Sequence, residues 1–129
     1  MTEVRKTIGS IGEQMASEHL ERQDYLIIER NYRCRYGEIY IIACNKEYLV
    51  FCEVKTRSEQ HKLHPSLSVT QSKVKRIREL AGMYLMKNEN EKRQPRFDVI
   101  SIVLNEKQEG LMNTWKTLFN CNQGNHGTS

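Results

Sequence analysis

Several features that would fix the class of a small protein are scarce or missing here. Of 129 residues only two are proline and one is tryptophan. The four cysteines, Cys34, Cys44, Cys52 and Cys121, form no Cys-x-x-Cys pair, and their spacing matches no common zinc site. They read as free thiols of a reducing compartment. No apolar run approaches the roughly 20 residues of a membrane-spanning helix. The opening "MTEVRKTIGS" lacks the apolar core of a secretory signal. The expected location is therefore cytoplasmic. No internal repeat and no domain boundary interrupts the chain. Its length suits one domain with a modest core, expected over residues 1–119, with 120–129 as a flexible tail.

What is present is patterned. "SIGEQMASEHL" (Ser10 to Leu20) has Met15, Ala16, His19 and Leu20 on one helical face. Ser10 can cap this helix, with Glu13 at the capping-box spacing. "YLIIERNYR" (Tyr25 to Arg33) reads as a first strand. "RYGEIYIIACNKEYLVFCEVKTR" (Arg35 to Arg57) reads as two more strands, with a turn near Asn45, Lys46 and Glu47. A polar loop (Ser58 to Thr70) precedes the helix "QSKVKRIRELAGMYLMK", capped by Thr70 and buried along Val74, Ile77, Ala81, Tyr84 and Leu85. "NENEKRQP" (Asn88 to Pro95) is a charged loop, and "RFDVISIVL" (Arg96 to Leu104) is an apolar strand. "LMNTWKTLF" (Leu111 to Phe119) fits a strand or a short helix. The order is α-β-β-β-α-β plus a small terminal element. The three consecutive strands should be antiparallel neighbours, and the helix after Lys55 should return the strand at Phe97 parallel to them in one mixed sheet.

The middle hairpin carries the chemistry. Strand alternation puts Glu38, Tyr40 and Ile42 on one side, and Ile39, Ile41 and Ala43 on the other. On the next strand Phe51, Glu53 and Lys55 share a face. A two-residue turn sets even positions beside odd ones, so Glu38 and Tyr40 are expected beside Glu53 and Lys55. Two carboxylates, a phenol and an ammonium then meet at one end of the hairpin. Such carboxylates bind Mg²⁺ or Mn²⁺ through oxygen, and the metal activates water at a phosphate. A lysine beside them holds the phosphate or helps generate the nucleophile. Glu-x-Lys alone is common, and the plain alternative is a cross-strand ion pair. Asp98 has a structural reading as a partner of Arg96. His61 and His64 read as solvated loop residues.

Charge is uneven. From Lys55 to Arg96 there are eleven basic residues against four glutamates, although the whole chain carries only +4. The excess follows the Glu-x-Lys strand, and a phosphate backbone is its natural complement. A solvated helix face is the other reading.

The motifs "GSIGEQMASEHL", "RNYR", "GEIYIIA", "LVFCEVKTR", "SKVKRI" and "RFDVISI" occur in order over Gly9 to Val103. Together they resemble the YraN family, small bacterial proteins predicted to be endonucleases. That family is similar to archaeal Holliday-junction resolvases of the PD-(D/E)xK nuclease superfamily. The resemblance implies an α/β, restriction-endonuclease-like fold and divalent-metal-dependent hydrolysis of DNA phosphodiesters. It implies Glu53 as metal-binding acid, Lys55 as catalytic lysine, Glu13 as a further acid facing the metal, and Glu38 as the glutamate of the family's "GEID". The aspartate of "GEID", the superfamily's first metal ligand, is here Tyr40. A phenol, neutral at pH 7, is a weak ligand for a hard cation, so Mg²⁺ or Mn²⁺ is expected to bind weakly. A branched or single-stranded DNA partner is expected, met by Arg33, Arg35, Arg57, Lys73, Lys75 and Arg76, and by analogy with the resolvases a homodimer. The alternatives are a non-catalytic nucleic-acid-binding module whose metal site has decayed at Tyr40, and a protein-interaction domain using the sheet edge.

Overall fold

The computed structural model describes residues 2–35, 37–59, 71–107 and 109–118. Side chains of residues 2–7, Tyr40, Gln71 and Lys73 lie outside this description, as do the loop histidines, the Thr70 cap and the expected tail. The elements are α1 (Thr2–Arg22), β1 (Leu26–Cys34), β2 (Gly37–Cys44), β3 (Tyr48–Ser58), α2 (Gln71–Lys87), β4 (Gln94–Leu104) and β5 (Gly110–Leu118). The last segment, open between strand and helix in the sequence, is a strand.

The five strands lie in chain order, with β3 in the middle. Neighbours are antiparallel except β3 and β4, which run parallel from Tyr48↔Gln94 to Ser58↔Leu104. That parallel pair is what a crossover through α2 requires. The chain is therefore a mixed α/β protein. Among the described residues no helix is long and apolar enough to cross a membrane.

Each sheet face carries one helix and its own core. Ala16 and Leu20 of α1 pack with Ile41, Ala43, Val50, Cys52, Ile100 and Ile102. Ile77, Leu80, Ala81 and Tyr84 of α2 pack with Ile42, Leu49, Phe51 and Phe97. Both faces of the central strands are thus apolar, and their near-continuous hydrophobic runs follow from that burial.

Helix α1 corrects one expectation. It begins at Thr2, so Ser10 lies well inside the helix and caps nothing. Ile8 and Ile11 pack against the same core as Met15, extending the apolar stripe upstream of Ser10. Tertiary packing of that stripe carries the helix through a polar residue that local propensity alone would place at its end. Gly12 matters for the docking: a Cβ there would overlap the Thr56 side chain, with Thr56 Cβ only 2.8 Å away. The missing side chain lets α1 approach β3 closely.

A buried charged pair on β4 packs against Tyr25, which follows α1, and Tyr48 of β3. Arg96 Nε and a terminal nitrogen donate to the two Asp98 oxygens at 2.8 and 2.9 Å. The Arg96 guanidinium also lies near the rings of Tyr25 and Tyr48, 5.2 and 4.8 Å from their centroids. This is the structural reading of Asp98 made from the sequence.

Candidate functional site

Strand β3 alternates cleanly. Val50, Cys52 and Val54 enter the α1-side core, and Leu49 and Phe51 the α2-side core. Glu53 therefore turns toward α2, where Arg76 approaches it. The β2–β3 register runs from Cys44↔Leu49 to Ile41↔Cys52 and ends there, one residue short of Glu53. The even-with-odd pairing expected from a two-residue turn is present. Asn45 N donates to Tyr48 O at 3.0 Å, and Asn45 Oδ1 accepts from Glu47 N and Tyr48 N, which closes the turn over Lys46 and Glu47.

On β2 the alternation expected from the sequence fails. Ile39 joins Ile42 and Cys44 in the α2-side core, while Ile41 and Ala43 lie in the other. The side-chain parity changes between residues 39 and 41. On the neighbouring strand, Asn31 sits between the pairs Arg30↔Ile41 and Tyr32↔Ile39 and has φ 56°. That left-handed conformation breaks the pleat, and asparagine is one of the few side chains that tolerate it. Parity changes on β1 too: Arg30 reaches Ser17 and Gln14 of α1, whereas Tyr32 stacks edge-on against Tyr84 of α2.

The kink sorts the expected site residues into two groups. In the orientation that satisfies its amide, Asn31 donates to Glu13 Oε2 at 2.9 Å and to Glu38 Oε2 at 3.2 Å. Glu38 also pairs with Arg33 at 3.3 Å. Glu13 and Glu38 thus come together on the α1 side. Glu53 belongs to the second group: its Oε2 lies 3.5 Å from Lys55 Nζ and its Oε1 3.8 Å from an Arg76 terminal nitrogen. The expected single cluster of Glu38, Glu53 and Lys55 is corrected to these two, because the pleat reverses at Asn31.

The Glu53 carboxylate is almost closed off, with 9% of its side chain exposed, against 29% for Lys55 and 44% for Arg76. Arg76 reaches it across Gly37. This glycine has φ 132°, which side-chain-bearing residues rarely adopt, and its Cβ direction meets Arg76 Cδ at 3.7 Å. Beside Glu53, burial pushes the Cys52 thiol well up, so it stays protonated and inert. Among the described residues Cys34, Cys44 and Cys52 form no disulfide.

These residues do not suit a divalent cation at Glu53. Each of its oxygens already faces a cation, and Glu13 and Glu38 are drawn to Asn31. Among the described residues no three His, Cys, Asp or Glu side chains could hold a metal ion together. Of the other basic side chains named from the sequence, those described lie at or near the surface. Arg33 and Arg35 lie by the β1–β2 turn and Lys75 and Arg76 on α2, all exposed, while Arg57 near the end of β3 is half-buried. Sequence reasoning missed Asn31, whose place inside a strand-like run was the available signal, and Arg76 as the partner of Glu53.

The molecule is thus a mixed α/β protein with a Glu-x-Lys pair on the central strand and a basic helix against it. The chain belongs to the uncharacterised protein family UPF0102, the YraN family, whose model matches residues 12–102. It is 39% identical over 104 residues to a UPF0102 protein of Caldanaerobacter subterraneus subsp. tengcongensis, covering 81% of this chain and 85% of that one. A UPF0102 protein of Clostridium botulinum is 45% identical over 101 residues, covering 78% and 82%. One from Geobacter metallireducens is 47% identical over 97 residues, covering 75% and 80%.

Proposed function

We propose that this chain binds DNA, branched or single-stranded, through a nuclease-like site centred on Glu53 and Lys55. The element order and the Glu-x-Lys pair on the third strand are those expected of a restriction-endonuclease-like protein of the PD-(D/E)xK type. The reaction of that type is divalent-metal-dependent phosphodiester hydrolysis. The observation that carries the binding reading is the set of cations contributed by β3, α2 and the β1–β2 turn. Lys55 and Arg76 flank Glu53, Lys75 and Arg78 stand exposed on α2, and Arg33 and Arg35 stand exposed at the β1–β2 turn. Glu53, Glu38, Glu13 and the exposed Glu79 of α2 offset four of these six charges, so the patch keeps a small positive excess toward a phosphate backbone.

A second reading, that hydrolysis has been lost and binding kept, is favoured by a specific observation. Tyr40 stands where the family aspartate is expected, and among the described residues Glu13, Glu38 and Glu53 form no three-carboxylate group that could hold a metal ion. The chain should bind branched and single-stranded DNA equally in Mg²⁺, in Mn²⁺ and in chelator, and cut neither. Metal-dependent cleavage would restore the catalytic reading, and absence of binding to both DNA forms would remove the proposal altogether.

A further inference from the structure

A divalent ion at Glu53 would have to sit within about 2.0–2.6 Å of a carboxylate oxygen. Those two oxygens face Lys55 Nζ at 3.5 Å and an Arg76 terminal nitrogen at 3.8 Å. An incoming ion would therefore meet two positive charges at short range, beside a carboxylate whose side chain is only 9% exposed. Lysine beside a metal-binding glutamate is part of the expected nuclease pattern, whereas the guanidinium is an addition to it. A guanidinium is a permanent cation. The place of Arg76 is set twice over: the next residue, Ile77, is buried in the α2-side core, and its own stem runs over Gly37, where the backbone has no Cβ.

We infer that Arg76 takes the place of the divalent cation at Glu53. It serves as the permanent counter-ion of that carboxylate and makes the site a metal-independent receptor for a phosphate group. The inference rests on the nuclease-like reading of Glu53 and Lys55. Arg76 has five N–H donors in a planar fork, and its 3.8 Å approach to Glu53 is too long for a hydrogen bond. With 44% of its side chain exposed, the guanidinium keeps donors accessible to solvent while its charge faces Glu53 at 3.8 Å. A phosphodiester oxygen meets those donors and the Lys55 ammonium, and Glu53 stays beneath as the anchor for both. Loss of the aspartate at position 40 and occupation by Arg76 are two separate barriers to a metal ion, so repairing one alone does not rebuild a metal site.

The test is Mn²⁺ titration by calorimetry on the full chain, with four variants: Arg76→Gln, Arg76→Lys, Tyr40→Asp, and the double variant Tyr40→Asp/Arg76→Gln. Circular dichroism and thermal unfolding verify that each is folded, and Arg76→Lys keeps the charge with little change in bulk. Wild type, Arg76→Lys and Tyr40→Asp should bind Mn²⁺ weakly and within about threefold of one another. The double variant should bind at least tenfold tighter than Tyr40→Asp. A full gain in Tyr40→Asp alone, or no further gain in the double variant, would overturn the inference. DNA binding is measured on the same samples in chelator. If wild type binds DNA but the double variant gains no Mn²⁺ affinity, the counter-ion role fails while the DNA-binding reading stands. If the Mn²⁺ pattern appears without DNA binding, the phosphate-receptor half is wrong and the counter-ion half holds.

Discussion

Replacing Asp98 by Asn should be among the most damaging single changes in the molecule. The Asp98 side chain is 1% exposed and that of Arg96 is 6% exposed. Two hydrogen bonds of 2.8 and 2.9 Å join them. Burial pushes the Asp98 carboxyl up, and the Arg96 guanidinium pulls against that. Asparagine preserves the shape but leaves the guanidinium buried without its counter-charge. Removing one partner of a buried pair costs about 3–5 kcal/mol. The sandwich of Arg96 between Tyr25 and Tyr48 survives in this variant, so the low end, about 3 kcal/mol, is expected. Urea unfolding of a domain of this size has a slope of about 1.5 kcal/mol per molar. The midpoint should then fall by about 2 M. Arg96→Met in the Asp98→Asn background removes the orphaned charge, and the cycle should show a coupling of about 2 kcal/mol or more. A loss below about 1 kcal/mol for Asp98→Asn, or additive single and double variants, would refute the view that this pair anchors β4 to the tyrosines.

Two further outcomes follow from other contacts. Gly12→Ala should destabilise by about 1–3 kcal/mol, since its methyl would overlap Thr56 and push α1 off β3; a thermal melt no lower than wild type would contradict that. Burial would push Glu91 up, but the side-chain and backbone hydrogen bonds from Arg93 win and hold its carboxyl below the usual value of 4.5. Its contribution to stability is thus present above that value and lost as pH falls through the lower folded-state value. Glu91→Gln should flatten the acid limb of the stability profile below pH 4.5, measured by urea unfolding across pH, and an unchanged limb would count against this pair.

The sequence made the element order readable because each element carries its own local signal. The α2 stripe recurs at helical spacing, and Ile41, Ala43, Val50 and Cys52 repeat at strand spacing. The parallel return of β4 followed from the length of the crossover. The site was legible only in part, since its decisive features are not local. The pleat reversal near residue 40 comes from the backbone of Asn31 on another strand, and strand parity applied to β2 alone could not see it. Arg76 was recognisable as a surface cation, but its approach to Glu53 depends on how α2 packs over Gly37. Ser10 was misread for a related reason: a local cap signal lost to the tertiary contacts of Ile8 and Ile11.

The most direct test of the account is the affinity of the full chain for single-stranded and branched DNA, measured in chelator over a range of salt concentrations. Binding without divalent metal is the expected result. Its affinity should fall with a log–log slope of about −0.7 per neutralised phosphate on single strands. The slope should become shallower when Lys75 and Arg76 are both changed to Glu. Binding that requires Mg²⁺ or Mn²⁺, or an affinity unmoved by salt and by those two substitutions, would contradict a metal-independent phosphate receptor at the Glu53 end of the sheet.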